Sequence, residues 1–184
     1  YRKTISKKDT FNEISRTIDL LKRSDVAFNI LTVVNDKTAK YPEEIYNYYK
    51  NQGFQYQQYI ACLDSLACAS QKLSDSGLYG NFMSKIFNLW YQDAIKGKAP
   101  YIRQFENYLD LLLGYKPESC EQSGTCSPSI IIEADGSVYP CDFYMTDDYL
   151  LGNIKEKNIQ EFLINDISKN FYERSLAIPS KCKT

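Results

Sequence analysis

The sequence contains no histidine. This absence excludes Ser-His-Asp and Cys-His catalysis within the chain, and it excludes every zinc site that requires an imidazole ligand. Any proton transfer near neutral pH must therefore be carried out by a carboxylate, a lysine, a tyrosine or a cysteine. The chain is well supplied with these groups, since it has 23 acidic side chains, 16 tyrosines and 6 cysteines.

The sequence also lacks a long apolar run, a signal peptide and an excess of charge of one sign. No apolar run approaches the length of a membrane span. The 22 basic and 23 acidic residues give a net charge of −1 with no basic patch, which argues against nucleic acid as the main partner. Cysteines without a secretory signal indicate reduced thiols that are available to bind metal. We therefore expect a cytoplasmic protein with no membrane partner.

The first 115 residues alternate between helical and extended patterns. Hydrophobic residues make up 43% of the chain, which is enough for a core. Thr10 is expected to cap the first helix, and the run VAFNILTVV suits a strand that is buried on both faces. The predicted helices are 11–23, 42–49, 77–95 and 106–113, and the predicted strands are 26–34, 54–62 and 100–105. This rhythm is typical of βα units, whose active sites lie at the carboxyl ends of the strands.

Three cysteines, Cys120, Cys126 and Cys141, lie in the stretch CEQSGTCSPSIIIEADGSVYPCD at residues 120–142. Between the last two, three isoleucines, an Asp-Gly turn and a Val-Tyr pair predict a β-hairpin. A hairpin folds the chain back, so it can bring Cys126 and Cys141 close together, and Cys120 is near enough in sequence to join them. Three converging thiolates suggest a soft metal or an iron–sulfur cluster. The alternatives are buried apolar cysteines, or a disulfide and a spare thiol.

The spacing C-x9-G-x4-C from Cys126 to Cys141 resembles the opening of a SPASM domain, the auxiliary-cluster domain of many radical S-adenosylmethionine (SAM) enzymes. Together with CLDSL, NLWYQD, DGSVYPCDFY and LGNI, it is similar to the anaerobic sulfatase-maturating enzymes, over essentially the whole chain. The resemblance implies an α/β fold. Residues 1–115 would form the second half of a partial (β/α)6 radical SAM barrel. Residues 116–184 would form a small α+β SPASM segment that contains the hairpin.

The resemblance also implies roles for individual residues. Arg2 matches a family arginine that contacts SAM, and Leu63 matches a position that packs on its adenosyl group. Cys120, Cys126 and Cys141 match ligands of the first auxiliary 4Fe-4S cluster. Cys182 matches the first cysteine of the family's CxxCxxxxxCxxxC run, which mostly serves the second cluster. The remaining cysteines, Cys62 and Cys68, match no ligand position and are interpreted as ordinary thiols.

The activity implied by the resemblance is the oxidation of a Cys or Ser in an unfolded sulfatase polypeptide to Cα-formylglycine. The partners would be that polypeptide and an electron donor such as flavodoxin or ferredoxin. Asp142 is the expected base for the substrate thiol or hydroxyl, because the preceding Cys141 would fix its backbone within about 3.8 Å, Cα to Cα. In a cavity made dry for radical chemistry, its carboxylate would be a stronger base.

No CxxxCxxC motif, which holds the SAM-cleaving cluster in the family, occurs in this sequence. We therefore expect an internal to C-terminal fragment that is inactive by itself and holds no complete auxiliary cluster. Two other functions stay open. One is another SPASM-type radical SAM enzyme that modifies peptides. The other is a structural or binding module with an all-cysteine zinc site made by Cys120, Cys126, Cys141 and Cys182, although no CxxC pair is present.

Overall fold

The computed structural model describes residue 3, residues 6–62 and residues 76–177 of the chain. It is a mixed α/β structure, as the sequence predicts, and it divides into two compact units, Tyr1–Glu106 and Asn107–Thr184. In the described ranges the helices are α1 (Phe11–Arg23), α2 (Pro42–Asn51), α3 (Ser76–Ala94), α4 (Arg103–Leu112), α5 (Cys120–Ser123), α6 (Ile159–Leu163) and α7 (Asp166–Ser175). The strands are β1 (Ile30–Val34), β2 (Tyr56–Ala61), β3 (Tyr101–Ile102), β4 (Ile131–Ile132), β5 (Ser137–Tyr139) and β6 (Gly152–Asn153).

The first unit is built on a parallel sheet in the order β1-β2-β3. Thr32 pairs with Tyr59 between the first two strands, and Gln57 pairs with Ile102 between the second and third. The helices between the strands allow this parallel arrangement, because each returns the chain to the same end of the sheet. The buried core lies on one face of the sheet and consists of Val34, Tyr46, Tyr59, Phe82, Ile86, Trp90, Ile102 and Phe105. Phe82 and Trp90 of α3 therefore pack in this core, whereas Phe87 and Tyr91 of the same helix are exposed.

Strand β1 differs from its prediction in length and in burial. It begins at Ile30 rather than near residue 26, and it is not buried on both faces. Val34 is 1% exposed, whereas Leu31 is 55% and Val33 is 49% exposed. The prediction was wrong because successive side chains of a strand point to opposite faces, and in the described part of the chain only one face of this sheet is covered. In the described ranges, the apolar side chains of Leu31 and Val33 are exposed on the opposite face.

Helix α1 has the predicted bounds, but Thr10 does not cap it through its side chain. Thr10 occupies the N-cap position without a side-chain cap hydrogen bond. Asp9 Oδ1 instead accepts a hydrogen bond from the Phe11 amide at 3.0 Å. A carboxylate at the start of a helix also interacts favourably with the helix dipole. The helix therefore begins where the sequence predicts, but the prediction that Thr10 caps it was wrong, because Asp9 makes that hydrogen bond.

A nearly buried carboxylate connects α2 with α3. Asp93 is 7% exposed, and its Oδ2 accepts hydrogen bonds from Lys50 Nζ at 2.6 Å and from the Tyr46 hydroxyl at 2.9 Å. The bond from Lys50 holds the pKa of Asp93 below its usual range. Burial, and then the hydrogen bond to Asp93, raise the pKa of Tyr46 well above its usual range. The contacts among Asp93, Lys50 and Tyr46 hold α2 and α3 together where they cover the sheet.

The second unit is a small antiparallel sheet in the order β4-β5-β6, covered by short helices. Its buried core consists of Val138, Leu151 and Phe162, with Ile130, Ile154 and Ile167 packed against it. Asn158 and Glu161 form a capping box at the start of α6, which satisfies two backbone donors that a helix otherwise leaves unpaired. None of the helices in the described ranges has the length and the apolar character needed to span a membrane.

Candidate functional site

The predicted hairpin between Cys126 and Cys141 is present. Strands β4 and β5 pair antiparallel, with Ile131 opposite Tyr139 and Ile132 opposite Val138. Gly136 has a φ of +93° in the turn, a conformation that L side chains rarely adopt. The turn is fixed by Asp135, whose Oδ1 accepts from the Ser137 amide at 2.9 Å. This bond is the first cause of the lowered pKa of Asp135.

Cys126 and Cys141 lie in the same neighbourhood, on either side of the hairpin. Both thiols interact electrostatically with the hydroxyl of Tyr172, on helix α7. Partial burial is the first cause that raises the pKa of Tyr172, and the two neighbouring thiols raise it further. The hairpin places the two segments that carry these cysteines side by side, since Ser129 Oγ donates to the Pro140 carbonyl at 2.7 Å.

Cys120 is the first residue of α5 and lies close enough to Cys141 to affect it. Burial is the main cause that raises the pKa of the Cys141 thiol, and Asp142 and Cys120 add to this rise. The start of α5 is held by Asn107, a buried residue of α4 whose Oδ1 accepts a hydrogen bond from the Ser119 amide at 2.9 Å. The position of Cys120 is therefore set by a contact between the segment before α5 and a buried residue of α4.

Helix α7 contacts the segment between Cys126 and the hairpin through two hydroxyl groups. The Cys126 amide donates to Ser175 Oγ at 2.9 Å. The Ser129 amide donates to the Tyr172 hydroxyl at 2.9 Å, and that hydroxyl donates to the Ser129 carbonyl at 3.0 Å. Neither Tyr172 nor Ser175 was singled out from the sequence. No signal in the sequence marks them, because the contacts join residues more than 40 positions apart.

Asp142 is exposed and lies beside the thiol that precedes it. The Cys141 thiol donates a weak hydrogen bond to Asp142 Oδ1, with 3.6 Å between the sulfur and the oxygen. The exposed carboxylate is thus open to an incoming group. The dry surroundings expected from the sequence are not supplied by the described part of this unit.

The three thiols do not have the spacing of a site for one metal ion. In the described ranges, no group of three or more Cys, Asp or Glu side chains could hold a metal ion. A four-iron cluster binds each thiolate to a separate iron atom, so its ligands stand farther apart than those of a single zinc ion. The donor set of three soft thiols is of the type that iron–sulfur clusters take.

Other predicted site residues lie outside the described residues. These are Arg2, Leu63, Cys182 and the non-ligand thiol Cys68. The neighbouring Cys62 directly follows β2, and its amide donates to the Val34 carbonyl at 3.0 Å. Cys120, Cys126 and Cys141 are free thiols, so the disulfide alternative is not seen among them.

Comparison with known proteins relates both units to one group of enzymes. Residues 120–184 match the SPASM family, described as an iron-sulfur cluster-binding domain. The chain is 42% identical over 186 residues to the cysteine-type anaerobic sulfatase-maturating enzyme of Clostridium novyi (strain NT), covering 100% of this chain and 50% of that protein. It is 30% identical over 201 residues to the serine-type anaerobic sulfatase-maturating enzyme of Bacteroides thetaiotaomicron, covering 100% of this chain and 48% of the relative.

Solved structures show the same relationship. The structure of native anSMEcpe with bound AdoMet superposes with a TM-score of 0.90 at 36% identity, covering 100% of this chain and 51% of that one. A second structure, native anSMEcpe with bound AdoMet and Cp18Cys peptide, gives a TM-score of 0.89 and covers 100% and 52%. The chain spans about half the length of the curated relatives it matches. By sequence and by structure, the chain is a homologue of the anaerobic sulfatase-maturating enzymes.

Proposed function

We propose that this chain is part of a radical SAM oxidoreductase that converts a Cys or Ser of a sulfatase to Cα-formylglycine under anaerobic conditions. The observation that carries the proposal is the hairpin between Cys126 and Cys141, whose flanking segments are joined by the Ser129–Pro140 hydrogen bond, in a segment that matches an iron-sulfur cluster-binding family. The similarity to cysteine-type and serine-type enzymes over the whole chain supports the same reaction class.

At the level of the fold, we assign residues 1–115 to the second half of a partial (β/α)6 radical SAM barrel. The parallel strands with helices on one face and an open apolar face, on which Leu31 and Val33 lie, support this assignment. An open face of this kind is what a barrel interior presents when only part of the barrel is present. Residues 116–184 are assigned to the first portion of a SPASM domain.

The first auxiliary 4Fe-4S cluster would be held by Cys120, Cys126 and Cys141, and Cys182 would serve the cysteine run that follows. The clusters and SAM supply the radical and electron-transfer chemistry of such an enzyme when they are bound. The chain contributes soft thiolate ligands on a rigid hairpin. Arg2 would bind the SAM carboxylate, because a guanidinium can donate two parallel hydrogen bonds to it, and Leu63 would pack on the adenosyl group.

Asp142 is the proposed base that takes the proton from the substrate thiol or hydroxyl. Its carboxylate is exposed and is fixed in sequence to the ligand Cys141. The bound polypeptide would cover it and remove water, which strengthens a carboxylate as a base. The partners that follow from this reaction are an unfolded sulfatase polypeptide and an electron donor such as flavodoxin or ferredoxin.

The test is Asp142→Asn in the full-length enzyme, assayed on a sulfatase peptide. We expect iron and sulfide contents equal to those of the parent and a loss of formylglycine formation of at least about 100-fold, the range typical of a general base. Asp148→Asn is a matched control, since Asp148 is an exposed carboxylate on the same loop. Full turnover by Asp142→Asn would remove this residue from the mechanism.

Two measurements on the parent enzyme would overturn the proposal as a whole. Zinc without iron in the complete protein would replace it with the structural zinc module. Modification of other peptides together with no reaction on the sulfatase peptide would replace it with another SPASM-type enzyme.

A further inference from the structure

Within the ranges that the structure describes, the backbone between Cys126 and Ser129 is paired with no strand, because the β4–β5 ladder begins only at Ile131. Amide groups outside a ladder need other hydrogen-bond partners. Here the amides of Cys126 and Ser129 donate to the hydroxyls of Ser175 and Tyr172, at 2.9 Å in both cases. Two side chains of α7 thus take the place of a neighbouring strand.

Ser129 connects this contact to the other cysteine of the hairpin. Its Oγ donates to the Pro140 carbonyl at 2.7 Å, and Pro140 directly precedes Cys141. Its amide and its carbonyl are both bonded to the Tyr172 hydroxyl. One hydroxyl therefore restrains a residue that is linked to both ligand-bearing segments.

The two hydroxyls are also coupled to each other on the helix. Ser175 Oγ donates to the Tyr172 carbonyl at 2.6 Å while it accepts from the Cys126 amide. The ring of Phe171 packs edge-on against the ring of Tyr172, with 5.8 Å between the ring centroids. The end of α7 is thus a rigid surface that can orient metal ligands without itself binding the metal.

We propose that Tyr172 and Ser175 are positioning residues for the ligands Cys126 and Cys141. Together they hold the backbone of the two segments that carry these ligands. The inference rests on the proposed cluster, and it extends the site to α7, which contributes no ligand. Loss of either hydroxyl would loosen residues 126–129 without removing a cysteine ligand.

The first test measures amide hydrogen exchange in the 184-residue chain itself. Tyr172→Phe removes both bonds to Ser129, and Ser175→Ala removes the bond to Cys126. Since a single hydrogen bond is worth about a fivefold change in an opening equilibrium, we expect exchange of the affected amide to become at least about fivefold faster. Ser175→Thr keeps a hydroxyl and should restore the slow exchange of Cys126.

The second test measures release of iron to a chelator from the full-length enzyme. We expect Tyr172→Phe and Ser175→Ala to lose iron several times faster than the parent, with unchanged melting temperature. Ser175→Thr should behave as the parent. Tyr149→Phe is the matched control, because Tyr149 packs on the same Phe171 ring and its hydroxyl makes no hydrogen bond within the described part of the chain.

The outcomes separate this inference from the proposed function. Unchanged exchange and unchanged iron release in Tyr172→Phe would overturn the positioning role. Faster exchange throughout the second unit with a lower melting temperature would also overturn it, because that pattern reports general destabilisation. A parent enzyme that contains no iron would overturn the proposed cluster instead, while the exchange data would still decide whether the two hydroxyls hold the loop.

Discussion

Replacement of Gly136 by alanine tests whether the turn of the hairpin is as constrained as its geometry indicates. Gly136 has a φ of +93°, and a Cβ added there would lie 2.7 Å from Oδ1 of Asn153. The amide of Asn153 cannot move away without loss, since it donates to the Asp135 carbonyl at 3.2 Å and accepts from the Lys155 amide at 3.0 Å. Backbone strain of about 1–2 kcal/mol and two hydrogen bonds of about 1 kcal/mol each predict a destabilisation of roughly 3 kcal/mol.

The assay is native-state hydrogen exchange at the Leu151 amide, which donates to the Val138 carbonyl in the core of the second unit. Gly124→Ala is the matched control, because Gly124 has a φ of +69° with nothing within 4 Å of an added Cβ. It should cost only the backbone strain, about 1 kcal/mol. In an Asn153→Ala background, Gly136→Ala should cost about as little as the control does.

The reasoning would be refuted if Gly136→Ala were no more destabilising than Gly124→Ala. It would also be refuted if the cost of Gly136→Ala were the same with and without the Asn153 side chain. Either result would mean that the contact with Asn153 does not constrain the turn. The turn would then contribute no more to holding Cys126 and Cys141 together than any other glycine turn of the unit.

Two further predictions concern the cores of the two units. The hydrogen bond from Lys50 lowers the pKa of Asp93 in the folded chain. The ionised Asp93 therefore stabilises the folded state fully above the unfolded pKa of about 3.9, and this stabilisation is lost as the pH falls through the lower folded pKa. The free energy of unfolding should therefore decrease when the pH is lowered below about 4. The Asp93→Asn variant should be less stable at pH 7, and its free energy of unfolding should change less with pH in the acid range; equal slopes of this free energy against pH for the two proteins would contradict this. Phe162 is fully buried, so Phe162→Ala should destabilise the second unit by about 3–5 kcal/mol, measured by urea unfolding, whereas Ile159→Ala, at an exposed position of the same helix, should cost far less.

Local sequence patterns predicted most of the elements closely. The first helix was predicted at 11–23 and found at Phe11–Arg23, and the long aromatic helix was predicted at 77–95 and found at Ser76–Ala94. The Asp-Gly dipeptide placed the hairpin turn correctly. These features depend on helical spacing, on turn chemistry and on the φ that glycine allows, all of which are local properties of the chain.

The mistaken predictions are those that depend on what packs against an element. An apolar run such as VAFNILTVV cannot indicate how many of its faces are covered, and the structure leaves Leu31 and Val33 exposed. In the same way, the exposure of Asp142 depends on neighbours that a linear pattern does not specify. Propensity and periodicity therefore predict that a strand is present, but they do not predict which of its faces other elements cover.

The sequence by itself determined the chemistry that is possible: no imidazole, three cysteines at a recognisable spacing, and a glycine turn between two of them. The hydrogen bonds by which Tyr172 and Ser175 of a distant helix hold the segment between Cys126 and Ser129 appear only in the folded chain. The physical reason is that covalent spacing limits where neighbouring residues can go. Contacts between residues more than 40 positions apart are fixed only when the core of Val138, Leu151 and Phe162 sets the helix against the sheet.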